Sequence, residues 1–396
     1  MGFFAEYLNR QMSIKTIHSE RKEQLRRISK LRGNRDILVY AADYTKGRLP
    51  NSIGYDDILP FSDMLANLKG KALDLIIETP GGSGEVVDEM VQLIRGKYQD
   101  LAVIVPGWAK SAGTILAMAA DEILMGPTSA LGPIDAQFAW QGKSFSAGEL
   151  IDGMKKIKDE VTKTGNLNRA YIPILQGISP GELQRAENAQ EFSKRLVTEW
   201  LIQYKFKDWN THSSTGKSVT DEEKRARARK IASELGDHNN WLTHGKSIKI
   251  DDLRKMRLLI NDYSEEPALT EAIRRYHILL QMTFQANIFK LIETVDSQVF
   301  RHAPAEGVNS GQPILQKQVQ KIPSNVKTGI IEIDLDCGKC HTVTKIQANI
   351  GAIQPLKPGN KAFPKNNIFL CACGNEINLN EIRQQVETQT KKPIIT

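Results

Sequence analysis

Two short glycine-containing turns, TPGG at residues 79–82 and KSAG at residues 110–113, constrain the fold of this chain more than any other feature. Each turn follows an apolar run typical of a strand and precedes a run typical of a helix. Strands that alternate with helices in this way predict an α/β fold, with a parallel sheet, right-handed crossovers and functional groups available at both turns.

The same reading extends along the chain. Ser83 is expected to cap the helix that follows the first turn. Residues 264–297 carry apolar side chains at helical spacing, which predicts one long helix there. Strands are predicted at 37–41, 73–78, 101–105 and 122–125, and further helices at 13–32, 57–68, 115–120, 146–162, 181–206 and 220–235.

A chain of 396 residues favours two or three domains. We expect a basic helical segment at 1–35, a main domain at 36–297, a linker rich in proline and glycine at 298–328, and a small module at 329–396. Residues 1–35 hold nine Lys and Arg against three Glu, within a net charge of +7. A solvated, exposed helix is the favoured interpretation of this segment, and contact with nucleic acid or anionic lipid is the alternative.

The sequence indicates where the chain resides only by what it lacks. The chain has no run of about 18–20 consecutive apolar residues, the length that a membrane-spanning helix needs. Its first residues also lack the basic and then apolar pattern of a signal peptide. We therefore expect no membrane span and a cytoplasmic location.

Ser111 has the surroundings of a nucleophile. A nucleophilic serine needs exposure at a tight turn, donors for a developing oxyanion and a base. Ser111 lies between a strand and a helix, so the backbone N–H of Ala112 can serve as one donor. Gly81 and Gly82 have no side chain in the way of a second N–H. The competing interpretation is a serine that only caps a helix.

The four cysteines of the chain form one local cluster in the sequence. Cys337 and Cys340 are a C-x-x-C pair, and Cys371 and Cys373 follow about thirty residues later as C-x-C. Two such pairs predict a structural zinc site with four thiolate ligands, in a zinc ribbon whose strands cover 342–350 and 367–370. His341 is a substitute for one thiolate, and a redox dithiol or free thiols are the alternatives. Four cysteine ligands leave no position for a catalytic water, so the module is expected to bind a partner.

The order of the motifs TPGG, KSAGT, AADEI and GPIDAQ resembles that of the Clp-protease/crotonase-like fold. More narrowly, it is similar to the signal peptide peptidase A class and to the soluble serine dehydrogenase proteinase family, over residues 37–291. The resemblance implies that Ser111 is the nucleophile of a serine endopeptidase. It also implies that Gly81, Gly82 and Ala112 line an oxyanion hole, that the substrates are peptides or proteins, and that the chain forms homo-oligomers.

The peptidase class uses a lysine as its base, but the matching position here is Asn168. Lys163 and Lys158 are therefore the candidate bases, each with a plain surface lysine as the alternative. Asp135, in GPIDAQ, lies where related folds approach the substrate and is a candidate to orient the base. His238 and His244 are expected to have structural roles.

Two other functions remain open on the sequence. The first is an inactive scaffold that binds protein or nucleic acid through the ribbon and the basic N-terminus; the absence of a lysine at position 168 supports it. The second is an acyl-CoA enzyme of the crotonase type. A serine turn suits that chemistry less well than it suits acyl transfer.

Overall fold

The computed structural model describes residues 2–47, 49–140, 143–212, 215–303, 329–337, 340, 342–390 and 392–395. The chain divides into two compact units, Met1–Ala303 and Pro304–Thr396. Most of the predicted linker lies outside the described residues, as does His341.

The first unit alternates helices and strands through its first half and is mainly helical afterwards. Its helices are α1 (Phe3–Asn9), α2 (Ile14–Leu31), α3 (Ile58–Ala66), α4 (Gly84–Arg95), α5 (Ala112–Met118), α6 (Ala147–Thr164), α7 (Ile172–Gln176), α8 (Pro180–Trp200), α9 (Asp221–Leu235), α10 (His238–Trp241), α11 (Ile250–Lys255) and α12 (Pro267–Phe284). Its strands are β1 (Asp36–Ala42), β2 (Ala72–Glu78), β3 (Asp100–Val105), β4 (Trp108–Ala109), β5 (Glu122–Met125), β6 (Ala130–Leu131), β7 (Gln137–Trp140), β8 (Lys143–Ser146), β9 (Asn261–Asp262), β10 (Ile288–Thr294) and β11 (Gln298–His302).

A seven-stranded sheet, in the order β11-β10-β1-β2-β3-β5-β9, forms the centre of this unit. The five strands from β1 to β9 are parallel, and β10 and β11 add an antiparallel edge. The predicted α/β fold with a parallel sheet is therefore confirmed. Along β1 the buried side chains alternate between two cores, with Leu38 and Tyr40 in one and Ile37 and Val39 in the other. Helices cover both faces of the sheet, which explains its nearly continuous apolar strands.

The prediction of one helix over 264–297 is wrong in its second half. Helix α12 ends at Phe284, and residues 288–294 form β10, which pairs antiparallel with β1 and is buried throughout. A short buried strand and a continuing apolar helix have the same composition, so periodicity alone cannot separate them. The turn between α12 and β10 has no proline or glycine to indicate the break.

The sequence predicted an exposed helix for the basic N-terminal segment, but the structure buries part of it. Helix α2 buries Ile17, Leu25 and Ile28. Arg21 of this helix lies fully buried, with its Nε 2.7 Å from Oε1 of Glu293. Further charges of the segment are neutralised within the first unit: Lys22 pairs with Glu293, Arg27 with Glu271, Arg32 with Asp74 and Glu122, and Arg35 with Asp74 and Asp100. Much of the positive charge of this segment is thus paired with carboxylates of the first unit.

The second unit has its own small core. It contains β12 (Gly329–Asp336), β13 (Val343–Ile350), β14 (Lys361–Ala362), β15 (Ile368–Leu370), β16 (Glu376–Asn378), α13 (Asn380–Thr390) and β17 (Ile394–Ile395). The long hairpin of β12 and β13 packs its apolar side chains against those of α13 and β15. Among the described helices of both units, none has the length and apolar character that crossing a membrane requires.

Candidate active site

Ser111 lies at the sharp turn between β4 and α5 and has an unusual backbone conformation. Its φ is 50° and its ψ is −117°, a region that L-residues rarely adopt. Such a conformation costs on the order of 1–3 kcal/mol and persists only where the surrounding structure holds it. Its side chain does not cap α5, and within the described part of the chain Oγ has no hydrogen-bond partner. The interpretation of Ser111 as a helix cap is therefore wrong.

The glycine turn of residues 79–82 packs directly against this serine. Gly81 and Gly82 have φ values of +107° and +151°. A Cβ on Gly81 would lie 2.6 Å from Cβ of Ser111 and 3.2 Å from the backbone nitrogen of Ala112. A Cβ on Gly82 would collide with the backbone of Ile53. Only glycine fits at either position, so the TPGG motif is explained by a close approach between the two turns.

The three amides predicted to line an oxyanion hole differ in this structure. The Gly81 N–H donates to Oγ1 of Thr79 at 3.1 Å and is therefore occupied. The N–H groups of Gly82 and Ala112 have no acceptor among the described residues. Two adjacent turns thus leave two backbone donors free beside Ser111, whereas buried amides are nearly always paired.

A histidine and an aspartate of the first unit form a hydrogen-bonded pair. Nδ1 of His244 lies 2.8 Å from Oδ1 of Asp135, and Gln137 Nε2 donates to the other carboxylate oxygen at 2.8 Å. The Asp135 side chain is 3 % exposed and that of His244 is 29 % exposed. A carboxylate at Nδ1 favours the tautomer in which Nδ1 carries the proton and Nε2 is free to accept one. The structure thus brings Asp135 to a histidine for which the sequence suggested a structural role.

An open cleft of about 870 Å³ joins these groups. Ser111, Gly82, Ala112 and His244 all line it. Side chains of α8 form part of its wall, and the lining is mixed: apolar at Ile115, Ile134, Phe138 and Phe192, and charged at Glu85, Arg185, Glu191 and Arg195. Its volume is in the range typical of ligand-binding clefts.

The two lysines predicted as bases lie elsewhere on the first unit. Lys158 and Lys163 are exposed on α6, and neither lines the cleft. Among the described residues, no contact links either lysine to Ser111, so the lysine base stays a prediction.

Lys110, next to Ser111 in the chain, is buried and holds backbone of a neighbouring segment. Its Nζ lies 3.0–3.1 Å from the carbonyl oxygens of Leu131 and Lys246 and from Oγ of Ser247. Burial first, and then the positive charges of Lys249 and Lys246, lowers the pKa of Lys110 to about 8. Lys110 does not line the cleft; it ties the segment that carries His244 to the turn that carries Ser111.

The four cysteines of the second unit converge on one point. Their Sγ atoms all lie within 4.8 Å of one another, and none forms a disulfide. Sγ of Cys337 is 3.5 Å from Sγ of Cys373, and Sγ of Cys340 is 3.7 Å from Sγ of Cys371. A tetrahedron of thiolates with Zn–S bonds of about 2.3 Å has edges of about 3.8 Å. The four thiols therefore have the spacing that a zinc ion requires.

Part of the first unit matches a known protein family. Residues 2–172 match the model of the ClpP-like SDH-type serine proteinase family. The resemblance to this family is thereby confirmed over that range. The matched residues include both turns and Asp135, but not His244.

Individual relatives add little about function. Two uncharacterised proteins of Methanocaldococcus jannaschii are 32% identical over 142 residues and 27% identical over 140 residues. These matches cover 34% and 33% of this chain and 49% and 47% of the relatives. The chain thus spans about half the length of the curated relatives it matches.

Solved structures show weaker likenesses. A mutant of a membrane-bound stomatin-specific protease is 22% identical, with a TM-score of 0.22 over 36% of this chain and 64% of that one. A probable enoyl-CoA hydratase/isomerase from Mycobacterium abscessus is 15% identical, with a TM-score of 0.27 over 62% of this chain and 76% of that one. TM-scores this low do not distinguish one activity from another.

Proposed function

We propose that the first unit is a serine endopeptidase in which Ser111 is the nucleophile, His244 the general base and Asp135 the residue that orients it. The observation that carries the proposal is the meeting of three features in one cleft. The cleft is lined by a strained serine, by two residues with free backbone donors and by a histidine that a buried carboxylate holds. Each is costly or unusual alone, and acyl transfer uses all three.

The reaction follows from these positions. Nε2 of His244 accepts the proton of Ser111 Oγ as Oγ attacks the peptide carbonyl carbon. The carbonyl oxygen becomes an oxyanion and accepts hydrogen bonds from the N–H groups of Gly82 and Ala112. The C–N bond then breaks, and His244 returns the proton to the departing amine. His244 next accepts a proton from water, whose oxygen attacks the acyl carbon. The bond between that carbon and Ser111 Oγ breaks, and His244 returns the proton to Oγ.

Asp135 contributes without exchanging a proton. Its buried carboxylate keeps the proton of the imidazole on Nδ1 and stabilises the imidazolium that forms during the attack. Ser111 Oγ is unpaired in this conformation, so the proposed mechanism has its hydrogen bond to His244 form in the complex with substrate. Catalytic hydrogen bonds of this kind commonly tighten only in the complex with substrate.

We further propose that Cys337, Cys340, Cys371 and Cys373 bind one zinc ion with a structural role. The thiol spacing described above supports zinc, and the small core of the second unit explains why a metal is needed. With all four ligands supplied by the protein, the ion would be closed to water and would take no part in hydrolysis.

Labelling with a fluorophosphonate tests the peptidase proposal. The wild-type protein is expected to gain one phosphonyl group, located on Ser111 by mass spectrometry of its peptides. Ser111→Ala is the matched control and should gain none. If the folded wild-type protein remains unlabelled, the proposal is wrong and a non-catalytic scaffold replaces it. An adduct on another serine contradicts the assignment of Ser111 as the nucleophile.

A further inference from the structure

A buried ion pair lies beneath the glycine turn and outside the catalytic groups named above. Nζ of Lys290 lies 2.8 and 2.9 Å from the two carboxylate oxygens of Asp57, and the two side chains are 1 % and 0 % exposed. The hydroxyl of Tyr40 donates to the same carboxylate at 2.8 Å. A pair so completely removed from water is costly to bury, and its presence here suggests a role other than stability.

The pair holds a short segment of backbone in place. Lys290 Nζ also donates to the carbonyl oxygen of Ser52 at 2.9 Å, and Asp57 accepts the N–H of Gly54 at 3.0 Å. Ile53, the residue between these two anchors, is therefore fixed on both sides.

Ile53 in turn fixes the turn that carries the free amide. Its N–H donates to the carbonyl oxygen of Gly81 at 2.8 Å, and its own carbonyl oxygen accepts the N–H of Ser83 at 3.0 Å. Gly82 lies between these two partners, so the hydrogen bonds of Gly81 and Ser83 fix its backbone while its own N–H remains free. A donor aimed in this way costs no reorganisation when an oxyanion develops.

We propose that Asp57 and Lys290 are positioning residues that orient the Gly82 amide as an oxyanion donor, through the backbone of Ile53. The catalytic part of this inference rests on the proposed peptidase function; the mechanical part, that the pair holds the turn, does not. Neither residue contacts the cleft directly, since the cleft lining includes neither of them.

The chain offers a matched control for this pair. Arg21 and Glu293 are also 0 % exposed, and the hydroxyl of Tyr276 donates to Glu293 just as that of Tyr40 donates to Asp57. That control pair joins α2 to β10 and does not contact the segment at Ile53. Removing both charges of a buried pair avoids an uncompensated buried charge. Lys22, the second partner of Glu293, is partly exposed and keeps the carbonyl oxygens of Thr294 and Ser297 as acceptors. The double variants Asp57→Asn/Lys290→Met and Arg21→Met/Glu293→Gln are therefore both expected to fold.

Two measurements on the full chain test the proposal. Hydrogen exchange of the peptide covering residues 79–86 should accelerate in Asp57→Asn/Lys290→Met and remain at the wild-type rate in the control variant. With a fluorogenic peptide, kcat should fall about tenfold to hundredfold in the first variant while KM changes little, because a misplaced donor acts on the transition state.

The outcomes separate the two proposals. Unchanged exchange at 79–86 in Asp57→Asn/Lys290→Met overturns the positioning role, whatever the activity. Faster exchange with an unchanged kcat limits the pair to holding the turn and overturns its role in orienting the donor. A wild-type protein that neither hydrolyses peptide nor reacts with fluorophosphonate contradicts the peptidase function itself, and the exchange result still decides whether the pair holds the turn.

Discussion

Replacing Ser111 by glycine is expected to abolish peptide hydrolysis and to raise the free energy of unfolding by about 1 kcal/mol. The loss of activity follows because the hydroxyl proposed as the nucleophile is removed; a fall of at least roughly 10³-fold is expected. The gain in stability follows from the backbone, because glycine adopts a φ of 50° and a ψ of −117° with little strain. Relief of strain outweighs the entropy that glycine adds to the unfolded chain. Peptide turnover and denaturant unfolding measure the two effects.

Ser146 provides the comparison for the stability effect. It has an ordinary extended conformation, with a φ of −83°, and its Oγ caps α6 by accepting the N–H of Glu149. Ser146→Gly should therefore lower the free energy of unfolding by several tenths of a kcal/mol. The claim that strain is stored at Ser111 fails if both glycine variants are destabilised alike.

Removing the proposed zinc ion is expected to unfold the second unit and to leave the first folded. Structural zinc in small cysteine sites contributes on the order of 10 kcal/mol of apparent binding free energy at pH 7, more than a core of this size supplies alone. We expect one zinc per chain by elemental analysis of the desalted protein. Chelation, or Cys371→Ser, should then bring amide exchange in 343–350 and 380–390 close to the rate of an unfolded chain.

The neighbouring residue gives a control for the cysteine variant. Leu370 is 61 % exposed and is not a ligand, so Leu370→Ser should keep both the zinc and the exchange protection. A second unit that remains protected in Cys371→Ser after loss of the metal would show that its core suffices without zinc. Zinc retained at full stoichiometry in Cys371→Ser would contradict the assignment of this ligand.

Most of the central sheet could be predicted from the sequence because its elements are short, strongly patterned and separated by recognisable turns. Ser83 does cap α4, with its Oγ accepting the N–H of Val86, and β5 begins and ends at the predicted residues. The two cysteine pairs could be assigned to one metal site because the spacing within them is typical of metal knuckles. The strand β10 could not be predicted, since its partner β1 lies about 250 residues earlier and only tertiary pairing selects a strand there.

The two turns that carry the proposed nucleophile and oxyanion donors could be predicted, but the proposed base could not. His244 and Asp135 are 109 positions apart, and neither lies in a local sequence motif that predicts contact with the other. The sequence did offer one chemical indication. Asp135 was a candidate to orient the base, and a carboxylate in that role needs a histidine or lysine beside it. The occupied Gly81 amide also depends on a side-chain contact, from Thr79, that residue spacing does not reveal.

The second-order rate constant for fluorophosphonate labelling of Ser111 tests most directly whether His244 is the base. It should be measured in the wild type, in His244→Ala and in the double variant Lys158→Met/Lys163→Met. We predict that His244→Ala loses about 10²–10⁴-fold in this rate constant, because proton transfer from Ser111 Oγ becomes unassisted. The lysine variant should keep the wild-type rate constant. A rate constant that survives in His244→Ala and collapses in the lysine variant would contradict the account and restore the lysine as base.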